Sequence, residues 1–242
     1  MDFIIIIYVI FGVLPSLTWL SYYLRKDAHP EPKRMILRIF LWGALITLPV
    51  FFVQIGLAYL LGLTSFGPII TPIIYWFLVI ALSEEFFKFL VIRLKVINSP
   101  DLDEPLDIML YMVIAALGFA SVENILYLFA PTEQLSFNGL VNRTVVISII
   151  RFVGATFLHT LCAATIGYSL AISFCEVKRK YLIFFLGVAM ATLLHGLYDF
   201  SIMTLEGYLK LIVPVIIILT LAVLVFSGFE KLKRMKSICK IK

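Results

Sequence analysis

Eight ionisable side chains interrupt long apolar stretches of this 242-residue sequence. They are Glu84, Glu85, Lys88, Glu123, Arg151, His159, His195 and Asp199. A charged side chain at the centre of a bilayer costs about 2.5 to 3.5 kcal/mol on insertion scales, so it is tolerated mainly where it pairs or lines a water-filled cavity. We therefore expect the eight side chains to meet in one place where they could carry out chemistry.

The helical spacing of these residues indicates how they could meet. Glu84 and Lys88 are four residues apart and share one helix face, whereas Glu85 lies about 100° further round the helix. His195 and Asp199 are also four residues apart, so Asp199 can orient the imidazole or bind the same ligand. The pattern predicts two carboxylates in different environments and two histidines from later helices.

Two hydrolytic schemes can use these groups, and both cleave an amide bond. In the first, Glu84 or Glu85 activates a water, and this scheme needs no cofactor. His159 and His195 then donate hydrogen bonds to the developing oxyanion. In the second scheme, His159, His195 and Glu85 bind zinc while another glutamate acts as the base.

The other polar residues are expected to support either scheme. Glu123, itself a catalytic candidate, would orient the histidines together with Asn124 and Asp199. Lys88 and Arg151 are expected to be counter-ions, and Phe119 shares a helix face with Glu123.

Two other functions fit the same side chains. A proton- or ion-coupled transporter would use buried Glu, His and Asp as a relay. The sequence shows neither inverted half-chain repeats nor broken-helix signals, which favours the enzyme over the transporter. A purely structural network is disfavoured because buried ion networks rarely add net stability.

Composition indicates the environment of this chemistry. The chain is 62% hydrophobic and only 14% charged, and its mean hydropathy is +1.06. These values differ strongly from those of a water-soluble domain. Its net charge is +5, but the basic residues form short clusters between apolar stretches, so no nucleic-acid partner is expected. Cys162, Cys175 and Cys239 have neither CxxC spacing nor an even count, so we expect packing roles for them. No pattern indicates an oligomeric state.

The apolar stretches predict helices that cross a lipid bilayer, because backbone groups in lipid must be satisfied within their own segment. We expect an all-α polytopic bundle that forms one domain, 1–242, with a catalytic core at about 68–205. The seven expected spans are approximately 3–24, 36–61, 68–92, 107–129, 145–174, 181–205 and 209–229. Clusters of lysine and arginine predict an amino terminus outside and a carboxyl terminus in the cytoplasm.

Four segments resemble the PrsW family of prokaryotic intramembrane proteases, whose members carry an EExxK motif, an FxxxE motif and later histidines on successive helices. The matching segments are Glu84-Glu85-Phe86-Phe87-Lys88, Phe119-Ala120-Ser121-Val122-Glu123-Asn124, His159 and His195-Gly196-Leu197-Tyr198-Asp199. The resemblance implies a multi-pass protein of the prokaryotic plasma membrane. It also implies substrates that are membrane-anchored proteins, including anti-sigma factors, cut near the membrane surface.

The chain is also distantly similar to the CAAX prenyl endopeptidases, which share paired glutamates and later histidines. It departs from them at two positions. Lys88 stands in a different basic position from their usual arginine, and Glu123 stands where they commonly have histidine. The sequence therefore does not decide between catalysis by glutamate alone and catalysis with a metal such as zinc.

Overall fold

The structure, a computed structural model, describes residues 2–27, 29–130, 135–176 and 178–235. Cys239 lies outside these residues. All regular elements in the described part of the chain are helical, as predicted. They are α1 Asp2–Leu24, α2 Lys33–Gly62, α3 Ile70–Ile74, a π-helical segment Tyr75–Leu82, α4 Ser83–Lys95, α5 Pro105–Phe129, α6 Phe137–Val153, α7 Ala155–Cys175, α8 Lys180–Thr204 and α9 Leu209–Lys233.

The expectation of a polytopic membrane bundle is confirmed, since six helical segments in the described residues are long and apolar enough to cross a membrane. The expected span 68–92 corresponds to α3, the π-helical segment and α4, which follow one another without interruption. The number of spans and the orientation of the termini remain predictions.

The expected span 145–174 is divided between α6 and α7 by an interruption at Gly154. The backbone there has φ −92° and ψ −95°, outside the helical region. The Gly154 N–H still donates to Ile150 O, and Leu158 N–H donates to Gly154 O. Because this break costs few hydrogen bonds and lies inside an apolar stretch, hydropathy alone does not reveal it.

Helix α5 is the centre of the bundle, and all of its residues from Pro105 to Ser121 are buried. It packs mainly against α1, α2 and α7. An apolar helix with no polar face is typical of such a central position. The polar residues near its carboxyl-terminal end, Glu123 and Asn124, are consequently held inside the protein and face neighbouring helices.

The crossing of α2 and α5 depends on two glycines. A Cβ at Gly118 would collide with the Phe40 carbonyl oxygen, and a Cβ at Gly43 would collide with the Ala115 carbonyl oxygen. Small residues allow helix backbones in membranes to approach this closely. The contact fixes α5, and with it Phe119 and Glu123, relative to α2.

The π-helical segment leads directly into the paired glutamates. It ends at Leu82, and the Ser83 hydroxyl donates to Val79 O at 2.6 Å. Wide π-helical turns inside helices often occur at functional sites because they change the direction in which later side chains point. Here the turn sets the rotation of α4 and therefore the directions of Glu84 and Glu85.

The loop between α1 and α2 contacts the amino-terminal part of α5. Glu31 is buried there and accepts a hydrogen bond from the Tyr111 hydroxyl. Burial is the main cause that raises the pKa of Glu31, to about 8. Burial in this packed junction therefore favours the neutral form of the carboxyl group.

We predict that Gly118→Ala lowers the free energy of unfolding by about 1 to 3 kcal/mol, because the added methyl group meets backbone that cannot move aside. Thermal or denaturant unfolding of the protein in detergent measures the change. Gly56→Ala in α2 is the matched control, since a Cβ there meets nothing within 4 Å. Equal losses in both variants would contradict a tight α2–α5 crossing.

Candidate active site

The structure brings all eight intramembrane ionisable residues into one connected network. They come from α4, α5, α6, α7 and α8. Lys88 links both glutamates of α4 to His159, and His159 leads through Glu123 to Arg151. Glu85 also contacts His195, which in turn lies next to Asp199. The convergence expected from the cost of burying charge is therefore present in the fold.

The Lys88 ammonium group is the centre of this network. Its side chain has no exposed surface, and Nζ lies 2.9 Å from Glu85 Oε1 and 3.5 Å from Glu84 Oε2. It also lies 2.8 Å from His159 Nδ1 and 4.7 Å from the centre of the Phe119 ring. An ammonium group can only donate, so His159 Nδ1 accepts and the proton of this imidazole is on Nε2.

The second nitrogen of His159 is held by a carboxylate. Nε2 donates to Glu123 Oε2 at 2.7 Å. The same oxygen accepts from Arg151 Nη2 at 2.8 Å, and Arg151 Nε donates to Asn124 Oδ1 at 2.5 Å. Arg151 also stacks on the Tyr127 ring at 3.9 Å. Arg151 is thus the counter-ion expected from the sequence, and it aligns Glu123 with His159.

His195 is oriented by Glu85. Its Nδ1 lies 2.8 Å from Glu85 Oε1, while its Nε2 lies 3.8 Å from Glu84 Oε2 and 3.3 Å from Asp199 Oδ2. Lys88 and His195 Nδ1 therefore share one oxygen of Glu85. The other oxygen, Oε2, is buried without a hydrogen-bond partner in the described residues. Glu85 is thus fully buried and orients the imidazole of His195 through Nδ1.

The two adjacent glutamates differ in their access to a cavity of about 540 Å³. Glu84 lines this cavity together with Glu123, His159, His195 and Asp199, whereas Glu85 does not. Glu84 is held in place by Gln54, whose Nε2 donates to Oε1 at 3.2 Å. Only Glu84 can therefore contact a molecule in the cavity. This agrees with the helical geometry, in which adjacent side chains point about 100° apart.

Comparison with known proteins identifies the family of this chain. The family described as PrsW family intramembrane metalloprotease matches residues 31–226. This chain belongs to the PrsW family. A protein named Protease PrsW from Geobacillus kaustophilus is 32% identical to it over 81% of this chain and 80% of the relative. A protein of the same name from Oceanobacillus iheyensis is also 32% identical, over 86% of this chain and 88% of the relative.

A third protein named Protease PrsW, from Bacillus subtilis, is 28% identical over 94% of each chain. No solved structure matches the chain significantly. Membership of the PrsW family makes this chain an intramembrane peptidase and a multi-pass bacterial membrane protein.

The description of the PrsW family as metalloproteases raises the question whether these residues fit a metal. Donor atoms of Glu84, His159 and His195 lie within 4.8 Å of one another. Two imidazoles and one carboxylate form a donor set typical of catalytic zinc. One nitrogen of each imidazole is held by a carboxylate, Glu123 for His159 and Glu85 for His195, as is usual for metal-binding histidine. The other nitrogen of His159, Nδ1, accepts from Lys88 Nζ, so Lys88 must release it before a metal can bind there.

The charge of the network fits a divalent cation as well. Its four carboxylates, when ionised, face two basic side chains, Lys88 and Arg151. The donor atoms and the charge of the site therefore suit a divalent metal.

Glu85 was the carboxylate expected in the zinc site, and the geometry groups Glu84 with both histidines instead. Glu85 Oε1 is engaged by Lys88 and His195, which places Glu85 behind the imidazole. Glu85 does approach a different group of possible ligands, with Cys162 and His195. Cys162, expected to be only a packing residue, is fully buried beside these two side chains.

Two residues of the site were missed at the level of sequence. Gln54 supports Glu84 from α2, and Tyr198 lines the cavity from α8. Gln54 carries a signal, since it is an amide inside an apolar stretch, but an uncharged side chain costs less in lipid than a charged one. Tyr198 stands inside the matching segment from His195 to Asp199, but as an uncharged side chain it carries no charge penalty that would single it out.

We predict that Lys88→Met destabilises the protein by about 3 to 5 kcal/mol, because it leaves the buried Glu85 without its cation. Denaturant unfolding in detergent measures the loss. The matched control is Arg93→Met, an exposed position on the same helix, with an expected change within about 0.5 kcal/mol. The double variant Lys88→Met with Glu85→Leu should recover part of the loss, and an unaltered stability in Lys88→Met would contradict the central role of this ion pair.

Proposed function

We propose that this chain hydrolyses a peptide bond of a membrane-anchored protein at the cavity lined by Glu84, His159 and His195. The convergence of these three side chains, from three different helices, in one cavity carries the proposal. By family resemblance, we propose a substrate of the anti-sigma-factor type.

The cavity accepts a peptide in an extended conformation. A peptide bond in a helix is already hydrogen-bonded, so a segment must unwind before its carbonyl can be attacked. The lining is largely aliphatic and aromatic, with its polar groups gathered around the histidines, as in most ligand pockets. Ala130 and Met203 line the cavity near the carboxyl-terminal ends of α5 and α8, which the basic clusters predict to be outside. We propose entry from this side.

Glu84, His159 and His195 would hold a divalent metal ion, zinc by the donor set. When bound, such an ion polarises a carbonyl and makes a bound water acidic enough to lose a proton at neutral pH. Glu85 keeps the His195 proton on Nδ1, so that Nε2 is available on the side of Glu84. Lys88 compensates the carboxylates of α4 and limits the charge of the site.

Glu123 is the proposed proton acceptor for the attacking water. Its Oε2 is engaged by His159 and Arg151, while Oε1 has no hydrogen-bond partner among the described residues. The carboxylate lines the cavity beside His159. A proton taken by Oε1 from the water can pass to the leaving amine when the C–N bond breaks, which is the usual exchange of general base and general acid.

We predict that Glu84→Gln abolishes cleavage, because it weakens the donor set, and that Glu123→Gln lowers it by about 10² to 10⁴-fold. The measurement uses purified protein in liposomes with a panel of single-span anti-sigma-factor reporters. Glu206→Gln, an exposed position between α8 and α9, is the matched control and should retain full activity. Unchanged cleavage by Glu84→Gln would contradict the proposed centre.

We predict that a zinc chelator removes cleavage, that added Zn²⁺ restores it, and that purified protein binds roughly one divalent ion per chain. His159→Ala should lose the bound ion in elemental analysis. Full activity in chelator would instead favour catalysis by glutamate without metal. If no reporter is cut but the liposomes show pH-driven ion flux that depends on Glu84, the transporter function replaces the peptidase proposal.

A further inference from the structure

Tyr198 places a phenol beside the catalytic groups without any assigned role. It lies on α8, three residues after His195 and next to Asp199, so it shares a helix face with His195. Its side chain is 5% exposed and lines the same cavity as Glu84, His159 and His195. The hydroxyl oxygen has no hydrogen-bond partner among the described residues. A nearly buried phenol that borders the cavity can therefore donate to a bound substrate.

Gly154 makes room for this hydroxyl. A Cβ at that position would lie 2.5 Å from Tyr198 Oη. The interruption between α6 and α7 is thus the place where the phenol of α8 passes close to the backbone of another helix. A side chain at Gly154 would force Tyr198 out of this position, so two independent features of the fold define where the hydroxyl lies.

Most other buried donors that line the cavity are already engaged. Arg151 donates to Glu123 and Asn124, and the Thr47 hydroxyl lies within hydrogen-bond distance of backbone carbonyl oxygens. His159 donates to Glu123, and His195 Nδ1 is held by Glu85. The histidines expected from the sequence to donate to the oxyanion are therefore committed to carboxylates. Arg151 Nη1 also has no hydrogen-bond partner among the described residues, but its guanidinium is held by Glu123 and Asn124 and stacks on Tyr127. Among the buried cavity residues that the structure describes, Tyr198 is the neutral side chain with an uncommitted donor.

We propose that Tyr198 is a catalytic residue that donates a hydrogen bond to the carbonyl oxygen of the scissile bond. This inference rests on the proposed peptidase function and adds a residue to it. The water oxygen bonds to the carbonyl carbon, its proton goes to Glu123, and the π electrons of the carbonyl move to the oxygen. Tyr198 stabilises that oxyanion and keeps its own proton. When the C–N bond breaks, the carbonyl re-forms and the amine receives the proton held by Glu123.

The test compares wild type with Tyr198→Phe, which removes only the hydroxyl, on a reporter that wild type cleaves. We expect kcat to fall by about 10 to 10³-fold, since removal of one oxyanion donor has effects of up to this size, while KM stays within about twofold. A phosphinic peptide inhibitor, whose tetrahedral anion resembles the intermediate, should lose affinity by a similar factor in a direct binding assay. Tyr181→Phe, an exposed position on the same helix, is the matched control.

Each outcome bears on a different claim. Thermal unfolding and metal content equal to wild type, together with a fall in kcat and inhibitor affinity, support the proposal. Wild-type kcat and inhibitor affinity in Tyr198→Phe overturn it while the peptidase function stands. A rise in KM alone also overturns it, because it would show a role in binding the substrate only. Failure of wild type to cut any reporter is a failure of the proposed function and not of Tyr198.

Discussion

A positive charge that is fully enclosed in a bundle of apolar helices must be surrounded by acceptors, and Lys88 imposes this constraint on the site. Glu84 and Glu85 approach it from its own helix, and His159 approaches from α7. Because the ammonium group can only donate, it sets the side of His159 that accepts and therefore the side that donates to Glu123. The position of the proton on His159 therefore follows from one buried cation.

The adjacent glutamates show how a single helix can supply two different environments. Glu84 faces the cavity with support from Gln54, whereas Glu85 is sealed behind it and orients His195. The Oε2 atom of Glu85 is buried without a partner among the residues that the structure describes, which is unfavourable by about 1 to 3 kcal/mol. An unsatisfied buried polar group of this kind calls for an explanation, and the contact of Glu85 with His195 supplies one, because Glu85 orients the imidazole.

Much of the site could be predicted from residue types and spacing. The eight ionisable residues were identifiable because each is costly in lipid, and spacing by four along a helix predicted correctly that Asp199 lies near His195. The same spacing favoured Glu84 over Glu85 as the partner of Lys88, whereas Lys88 contacts both and lies closer to Glu85. Gln54 and Tyr198 escaped this reasoning because uncharged groups carry a smaller penalty. The break at Gly154 escaped it because a helix interruption that keeps its hydrogen bonds leaves the hydropathy of the stretch unchanged.

The sequence by itself determined that the chain is helical, that its solvent is lipid, and which charged groups must be compensated, because hydropathy, helical period and the cost of burial are properties of local segments. Only the tertiary structure decided that Glu84 faces the cavity, that Glu85 lies behind His195, and which nitrogen of each imidazole meets which carboxylate. These features depend on the rotation of each helix about its axis and on distances between helices. Close contacts between small residues and the π-helical turn set both, and no pattern within a single segment specifies them.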